Sequence, residues 1–165
     1  MHDEAMQWIA DGVAGRHFRS VVELGSRDVN GSVRGLFDCD LYIGVDVADG
    51  PAVDVVCDAT LYRPEEPVEC VVTTKMLEHA PTASEIPAAV MEMLQPGGLF
   101  IGTAAGPGRP PHSAVDGRGL QKGEHYANIG PVELTGWLVA AGFEQIEVET
   151  KRRPADIHWR AVRPA

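Results

Sequence analysis

Residues suited to ligand binding recur just after short apolar runs of the sequence. Gly25, Asp46 and Asp58 each follow such a run, and Thr74 and Lys75 follow another. Glycine lets backbone N–H groups approach a ligand closely, and an aspartate at a strand end can accept hydrogen bonds from both hydroxyls of a ribose. These positions predict a ligand-binding site assembled from the ends of several strands.

Three further residues are candidates for proton transfer or for orienting a substrate. His79 follows the fourth apolar run, and His125 and Tyr126 lie in a long segment rich in glycine and proline. Histidine is suited to accepting a proton near neutral pH, although His79 is equally open to a structural role bonded to a loop backbone. His112 and His125 are widely separated and lack a nearby paired His or Cys, so we expect no metal site.

The elements that must position these residues alternate between strands and helices. Helical spacing of apolar residues occurs within residues 1–19, over 84–94, and from Pro131 to Gly142. Strands are predicted at 20–25, 41–45, 53–57, 68–73, 99–103, 143–150 and 157–162. This alternation predicts a mostly parallel α/β sheet with helices on both faces, which binds ligands at the carboxyl ends of its strands.

Length and composition set further bounds. The 165 residues fit a single domain over 1–165. No apolar run approaches the roughly 18 residues of a membrane span, and the N-terminus does not resemble a signal peptide, so we expect a cytoplasmic location. Cys39, Cys57 and Cys70 form no C-x-x-C pair, which favours free thiols.

The charge bears on possible partners. A formal net charge of −10 argues against long contacts along a nucleic-acid backbone. Arg152, Arg153, Arg160 and Arg163 could still form a local basic surface, or simply a solvated edge. The acidic charge and the short chain favour a small-molecule acceptor, and the sequence does not indicate the oligomeric state.

Six segments, in this order and spacing, resemble class I S-adenosylmethionine-dependent methyltransferases, in a small single-domain form similar to methyltransferase type 11. The matching segments are VELGSRDVNG at 22–31, YIGVD at 42–46, CDA at 57–59, TKMLEHA at 74–80, LQPGGLF at 94–100 and AAGF at 140–143. The resemblance covers nearly the whole chain. Each segment alone is weak evidence, whereas their combination is specific.

The resemblance implies a Rossmann-like seven-stranded sheet, mostly parallel, with a final antiparallel hairpin. It also implies methyl transfer from S-adenosylmethionine to a small acceptor, with S-adenosylhomocysteine as product. Asp46 would bind the ribose, Asp58 and Ala59 would bind the adenine, and Arg27 is a candidate contact to the methionine carboxylate. The full set of cofactor-binding residues implied is Glu23, Gly25, Ser26, Arg27, Asp46, Val47, Asp58, Ala59, Thr74 and Lys75.

The acceptor side is implied in the same way. In the family, the stretch containing His79 lies beside the methyl group, and the loop at 104–130 covers the acceptor pocket. His79, His125 and Tyr126 are therefore the catalytic candidates. An alternative of a different class is a non-catalytic binding or regulatory module that keeps the methyltransferase-like fold.

The first loop departs from the family pattern. Arg27 and Val29 stand where glycine is common, and we expect Asp28 and Asn30 to hold the turn through bonds from their side chains to the backbone. A nicotinamide-dinucleotide fold would instead require G-x-G-x-x-G, which the segment 25–31 does not supply.

Overall fold

The computed structural model describes residues 3–153 and 155–165. The helices of these residues are α1 (Asp3–Val13), α2 (Ile86–Met93) and α3 (Pro131–Ala141). Their strands are β1 (His17–Leu24), β2 (Asp38–Asp46), β3 (Val55–Val56), β4 (Val68–Thr74), β5 (Leu94–Ala105), β6 (Glu144–Thr150) and β7 (Asp156–Val162). No helix in this part of the chain is long and apolar enough to cross a membrane.

The strands form one seven-stranded sheet in the order β3-β2-β1-β4-β5-β7-β6. β1 to β5 pair in parallel, whereas β7 runs antiparallel to both β5 and β6. The predicted fold class, including the final antiparallel hairpin, is confirmed. The strand order reverses between β1 and β4, which is where open α/β sheets bind ligands.

Helices cover both faces of the sheet. Side chains of successive strand residues point to opposite faces, so each strand contributes to the packing on both sides. Cys70 and Val72 of β4 belong to the cluster that includes Ile9 of α1, whereas Val71 belongs to the cluster that includes Val90 of α2 and residues of α3. Between β1 and β2 the chain forms only a 3₁₀ turn, Arg34–Leu36. The first ligand loop is therefore not followed by an α-helix.

The helical spacing predicted within 1–19 forms α1, which ends at Val13, two residues before Gly15, and residues 17–19 begin β1. Gly15 adopts a left-handed φ of 69°, a conformation that ends helices. The strand predicted at 99–103 begins earlier, at Leu94, and ends at Ala105 as β5. Met1, the first residue of the predicted helix range, and His2 lie outside the described residues.

Candidate active site

A cavity of about 370 Å³ opens at the carboxyl ends of β1 to β4. Every residue that the resemblance assigned to the cofactor lines it: Glu23, Gly25, Ser26, Arg27, Asp46, Val47, Asp58, Ala59, Thr74 and Lys75. The volume lies within the range of roughly 300–1,000 Å³ that is usual for ligand pockets. The residues that the resemblance assigned to the cofactor therefore meet at one cavity.

The first loop turns sharply at Gly25, whose φ is 76°. The N–H groups of Gly25 and Ser26 both donate to the carbonyl of Val45, at 2.8 and 3.1 Å, which ties the end of β1 to β2. A Cβ at Gly25 would lie 2.5 Å from Cγ of Met76. Only glycine therefore fits this turn without moving its neighbour.

A side-chain hydrogen bond stabilises the loop that follows Gly25. Oδ1 of Asp28 accepts a hydrogen bond from the N–H of Gly31 at 2.7 Å, as the sequence predicted. Asn30 lines the cavity. The side chain of Arg27 lies over Gly50, where an added Cβ would be 3.0 Å from its Nε.

Asp46 joins two of the loops that surround the cavity. Its Oδ2 accepts a hydrogen bond from the N–H of Arg27 at 3.1 Å, and its Oδ1 accepts one from Ala48 at 3.0 Å. A carboxylate can accept about four hydrogen bonds. Asp46 can therefore cap this turn and still accept bonds from a ligand.

Asp58 and Ala59 follow β3 and line the cavity. Oδ1 of Asp58 accepts hydrogen bonds from the N–H of Thr60 at 2.8 Å and from its hydroxyl at 2.6 Å. Both bonds use Oδ1, so Oδ2 of Asp58 takes no part in them.

Val47 is 69% exposed and offers an apolar surface at the rim of the cavity.

Glu23 is buried at the inner wall, with 2% of its surface exposed. The hydroxyl of Tyr42 donates to its Oε2 at 2.9 Å. Burial raises the pKa of Glu23 to about 7, and the hydrogen bond from Tyr42 opposes the rise. This carboxyl group therefore changes charge near neutral pH.

Lys75 lines the cavity and forms an ion pair with a buried carboxylate. It has a left-handed φ of 57°, unusual for a residue with a side chain, and its ammonium pairs with the buried carboxylate of Asp156. Nη1 of Arg109 lies 3.5 Å from the same carboxylate. Burial lowers the pKa of Lys75, and the Asp156 carboxylate opposes this fall.

His79 lies in an aromatic cluster with His112 and Tyr126. The ring centroids are 5.0 Å apart for His79 and His112, and 5.4 Å apart for His79 and Tyr126. Burial and the proximity of His112 lower the pKa of His79 to about 4. At neutral pH the imidazole is therefore uncharged and able to accept a hydrogen bond, and its lowered pKa makes it a weak base.

The structure separates the other two catalytic candidates. Tyr126 contacts the His79 ring, whereas His125 is exposed and lines a neighbouring cavity that also contacts Trp137. Neither His125 nor Tyr126 lines the main cavity itself.

Sequence reasoning did not assign His112, Ser113 or Met76 to the site, although all three line the cavity. His112 and Ser113 lie in the segment 106–130, which contains no helix or strand. Without a regular element, no periodicity relates these side chains to the sheet. Glu78 is fully buried next to His79, and burial raises its pKa to about 7.

No protein family model matches the sequence, and no curated protein matches it significantly. Solved structures do resemble it. They include Burkholderia thailandensis 1,6-didemethyltoxoflavin N1-methyltransferase, at a TM-score of 0.70 and 18% identity over 99% of this chain and 80% of that one. The fold is that of the class I methyltransferases.

Two further structures support this fold. Phosphoethanolamine N-methyltransferase 2 of Haemonchus contortus has a TM-score of 0.72 at 15% identity, over 99% of this chain but only 53% of that one. The N-methyltransferase NodS of Bradyrhizobium japonicum has a TM-score of 0.65 at 13% identity, over 99% of this chain and 96% of that one. The chain therefore spans about half of the Haemonchus protein and nearly all of NodS.

Proposed function

We propose that this chain binds S-adenosylmethionine and transfers its methyl group to a small acceptor. One observation carries the proposal: all of the residues that the resemblance assigned to the cofactor line the same cavity, at the point where the strand order reverses. The Burkholderia and Haemonchus structures both contain S-adenosylhomocysteine, which supports binding of the same ligand by this chain.

The buried polar atoms of the cavity fit such a ligand. Oγ of Ser26 is buried without a hydrogen-bond partner, and the carboxylate of Asp46 retains unused acceptor positions. In our proposal Asp46 accepts bonds from the ribose hydroxyls. Asp58 and Ala59 contact the adenine beside Val47, and Arg27 contacts the methionine carboxylate.

The bound cofactor supplies a methyl group on a sulfonium that is already reactive, so the protein's work is alignment and exclusion of water. His79 and Tyr126 stand at the acceptor end. The uncharged His79 can accept a hydrogen bond from an acceptor O–H or N–H, and Tyr126 packs against its ring. A dedicated base is optional for this chemistry.

A small acceptor is supported by the segment 106–130. Its residues His112 and Ser113 line the cavity, so this segment encloses the space beyond the cofactor residues. The Burkholderia structure contains 1,6-didemethyltoxoflavin and the Haemonchus structure contains phosphomonomethylethanolamine, both small molecules. A cytoplasmic location stays our expectation, and the unpaired Cys39, Cys57 and Cys70 suit a reducing compartment.

The test is isothermal titration of the protein with S-adenosylhomocysteine and with S-adenosylmethionine. We expect saturable binding of both, and no heat at millimolar ligand would refute the proposal. Mass spectrometry of S-adenosylhomocysteine formed in the presence of a panel of hydroxyl and amine acceptors then separates an enzyme from a binding module. Binding without turnover across the panel would favour the module.

A further inference from the structure

Three potential metal ligands meet beside the cavity: Glu78, His79 and His112. One ligand atom from each lies within 4.8 Å of the other two. Glu78 and His79 belong to the 3₁₀ turn Leu77–His79 after β4, whereas His112 comes from the segment after β5. From the sequence, His112 was considered together with His125, whereas in the fold His112 lies beside His79.

Glu78 buries a carboxylate whose burial is only partly offset by the charge of Lys75 and by the nearby backbone N–H groups of Glu78 and Ala105. The residue is fully buried, and both of its carboxylate oxygens lack a hydrogen-bond partner. A buried carboxylate in that situation is unfavourable, and such groups in folded proteins are normally paired or bound to a metal. The ammonium of Lys75, on the same loop, is paired with Asp156 instead.

Both imidazoles present a nitrogen suited to ligation. Nδ1 of His112 lies 3.2 Å from the carbonyl of Pro110, so its hydrogen bond there places the proton on Nδ1 and leaves the lone pair of Nε2 available. Nδ1 of His79 is buried without a hydrogen-bond partner. Ligating histidines are typically oriented by such a bond to a backbone carbonyl.

We propose that Glu78, His79 and His112 bind one divalent transition-metal ion, as two imidazoles and a carboxylate do for zinc or iron(II). Ligand atoms around such an ion lie about 3.4 Å apart, so pairs that now lie up to 4.8 Å apart would approach by up to about 1.4 Å on binding. His79 and His112 line the cavity and Glu78 lies behind them. An open coordination position therefore faces the cavity.

The role of the ion rests on the proposed function, and ligation to the ion would replace the hydrogen bond from the acceptor to His79, because a neutral imidazole has a single lone pair. At the acceptor end of a methyltransferase site, the open position would take an oxygen of the acceptor and fix its orientation toward the methyl group. Metal binding also lowers the pKa of a bound hydroxyl. The substrate class that this favours is a hydroxyl compound rather than an amine.

The probe is Co²⁺, titrated into protein that has been dialysed against a chelator, with visible absorption as the readout. We expect one equivalent to bind with absorption bands of a low-coordinate site. His112→Gln and His79→Gln should each weaken binding by at least about tenfold. His112 lies on a loop, so His112→Gln tests the site even if a Glu78→Gln variant does not fold.

His17→Gln is the matched control. His17 is exposed and contacts Asp38 and Asp40 at 3.1 Å each, so it forms a second histidine–carboxylate group, at the surface. This variant should bind Co²⁺ like the wild type. Absence of Co²⁺ binding in the wild type, or binding that is lost in His17→Gln and kept in His112→Gln, would overturn the proposal.

A parallel titration with S-adenosylhomocysteine separates the two proposals. Metal-free protein that binds this ligand but not Co²⁺ refutes the metal site alone. Protein that binds Co²⁺ through His112 but not S-adenosylhomocysteine refutes the cofactor proposal and leaves the metal site standing. Circular dichroism of each variant confirms that it is folded.

Discussion

Lys75 and Asp156 form a buried ion pair that joins the end of β4 to the start of β7. The side chain of Asp156 is 0% exposed and that of Lys75 is 15% exposed. The pair spans β5, and Lys75, which has a left-handed φ of 57°, lines the cavity. A charge interaction in the body of the sheet thereby fixes a loop of the candidate site.

Lys75→Met should destabilise the protein, because it leaves the carboxylate of Asp156 buried with a weaker partner. Removing one member of a buried pair typically costs about 3–5 kcal/mol. We expect about 2–3 kcal/mol here, since Arg109 still lies near Asp156. Unfolding in urea measures the loss.

Two further variants test the cause of that loss. The double variant Lys75→Met, Asp156→Asn should lose less stability than the sum of the two single variants, because it leaves no unpaired carboxylate buried at position 156. Lys151→Met removes the exposed ion pair with Glu149 and should cost less than about 1 kcal/mol. Equal losses for Lys75→Met and Lys151→Met would contradict the importance of burial.

Gly25→Ala should disrupt the first loop through a steric clash as well as through its left-handed backbone. Gly97 provides the control, because its φ is also 76° but nothing lies within 4 Å of an added Cβ. Gly97→Ala should cost about 1 kcal/mol, and Gly25→Ala about 2 kcal/mol more because Met76 must move. Urea unfolding of both variants measures the difference, and equal costs would show that Met76 adjusts freely.

Asp46→Ala should weaken S-adenosylhomocysteine binding by at least about tenfold, the loss of more than 1.4 kcal/mol expected when bonds to a carboxylate disappear. Asp49→Ala removes the same charge from the same loop, at an exposed position that does not line the cavity. It should leave the affinity nearly unchanged. Titration calorimetry compares them, and unchanged affinity in Asp46→Ala would refute the ribose assignment.

The cavity wall that we propose to bind the cofactor was predictable, because each of its parts follows a strand. An apolar run that ends in Gly25, Asp46 or Asp58 marks the carboxyl end of a strand in the sequence itself. The parallel sheet then brings these ends to one edge. Local sequence and fold class were sufficient to predict which residues meet there.

The acceptor side was less predictable, because its contacts are long-range and irregular. Nothing local relates His112 to His79, and nothing local indicated that Tyr126 rather than His125 faces the cluster. The start of β5 was missed for a similar reason. The N–H of Gly97 donates to the carbonyl of Arg163 at 3.0 Å, and this distant partner overrides the local preference of Gly97 and Gly98 for a turn.

The buried Glu23 should make stability depend on pH. Its pKa is about 7 in the folded protein and 4.5 in the reference state, so between these values the folded state binds more protons. Stability therefore falls as pH rises from 4.5 to 7, by up to about 3 kcal/mol. Relative to the wild type, Glu23→Gln should become more stable by about 2.5 kcal/mol between pH 5 and pH 8.

Urea unfolding at pH 5 and pH 8 tests this dependence, with Glu69→Gln as the control. The ion pair with Arg19 lowers the pKa of Glu69, so its contribution is already complete above pH 4.5 and is lost only at lower pH. The difference between Glu69→Gln and the wild type should be the same at both pH values. A Glu23→Gln difference that is also constant would contradict the raised pKa.

The segment 106–130 should be the first site of proteolysis. Arg118 and Lys122 are exposed at its tip, whereas Ser113 and Glu124 close its base through a hydrogen bond of 2.8 Å. Because Ser113 lines the cavity, S-adenosylhomocysteine should slow tryptic cleavage at Arg118. Mass spectrometry of the fragments identifies the cut.

Cleavage at Arg152, in the connection between β6 and β7, is the internal control, because this residue does not line the cavity. Its rate should not change with the ligand, whereas Ser113→Ala should speed cleavage at Arg118 by releasing Glu124. If saturating S-adenosylhomocysteine binds and yet leaves the rate at Arg118 unchanged, the segment does not close over the cofactor. The acceptor pocket would then be open on that side, and substrate choice would have to lie with His79 and its neighbours on the sheet.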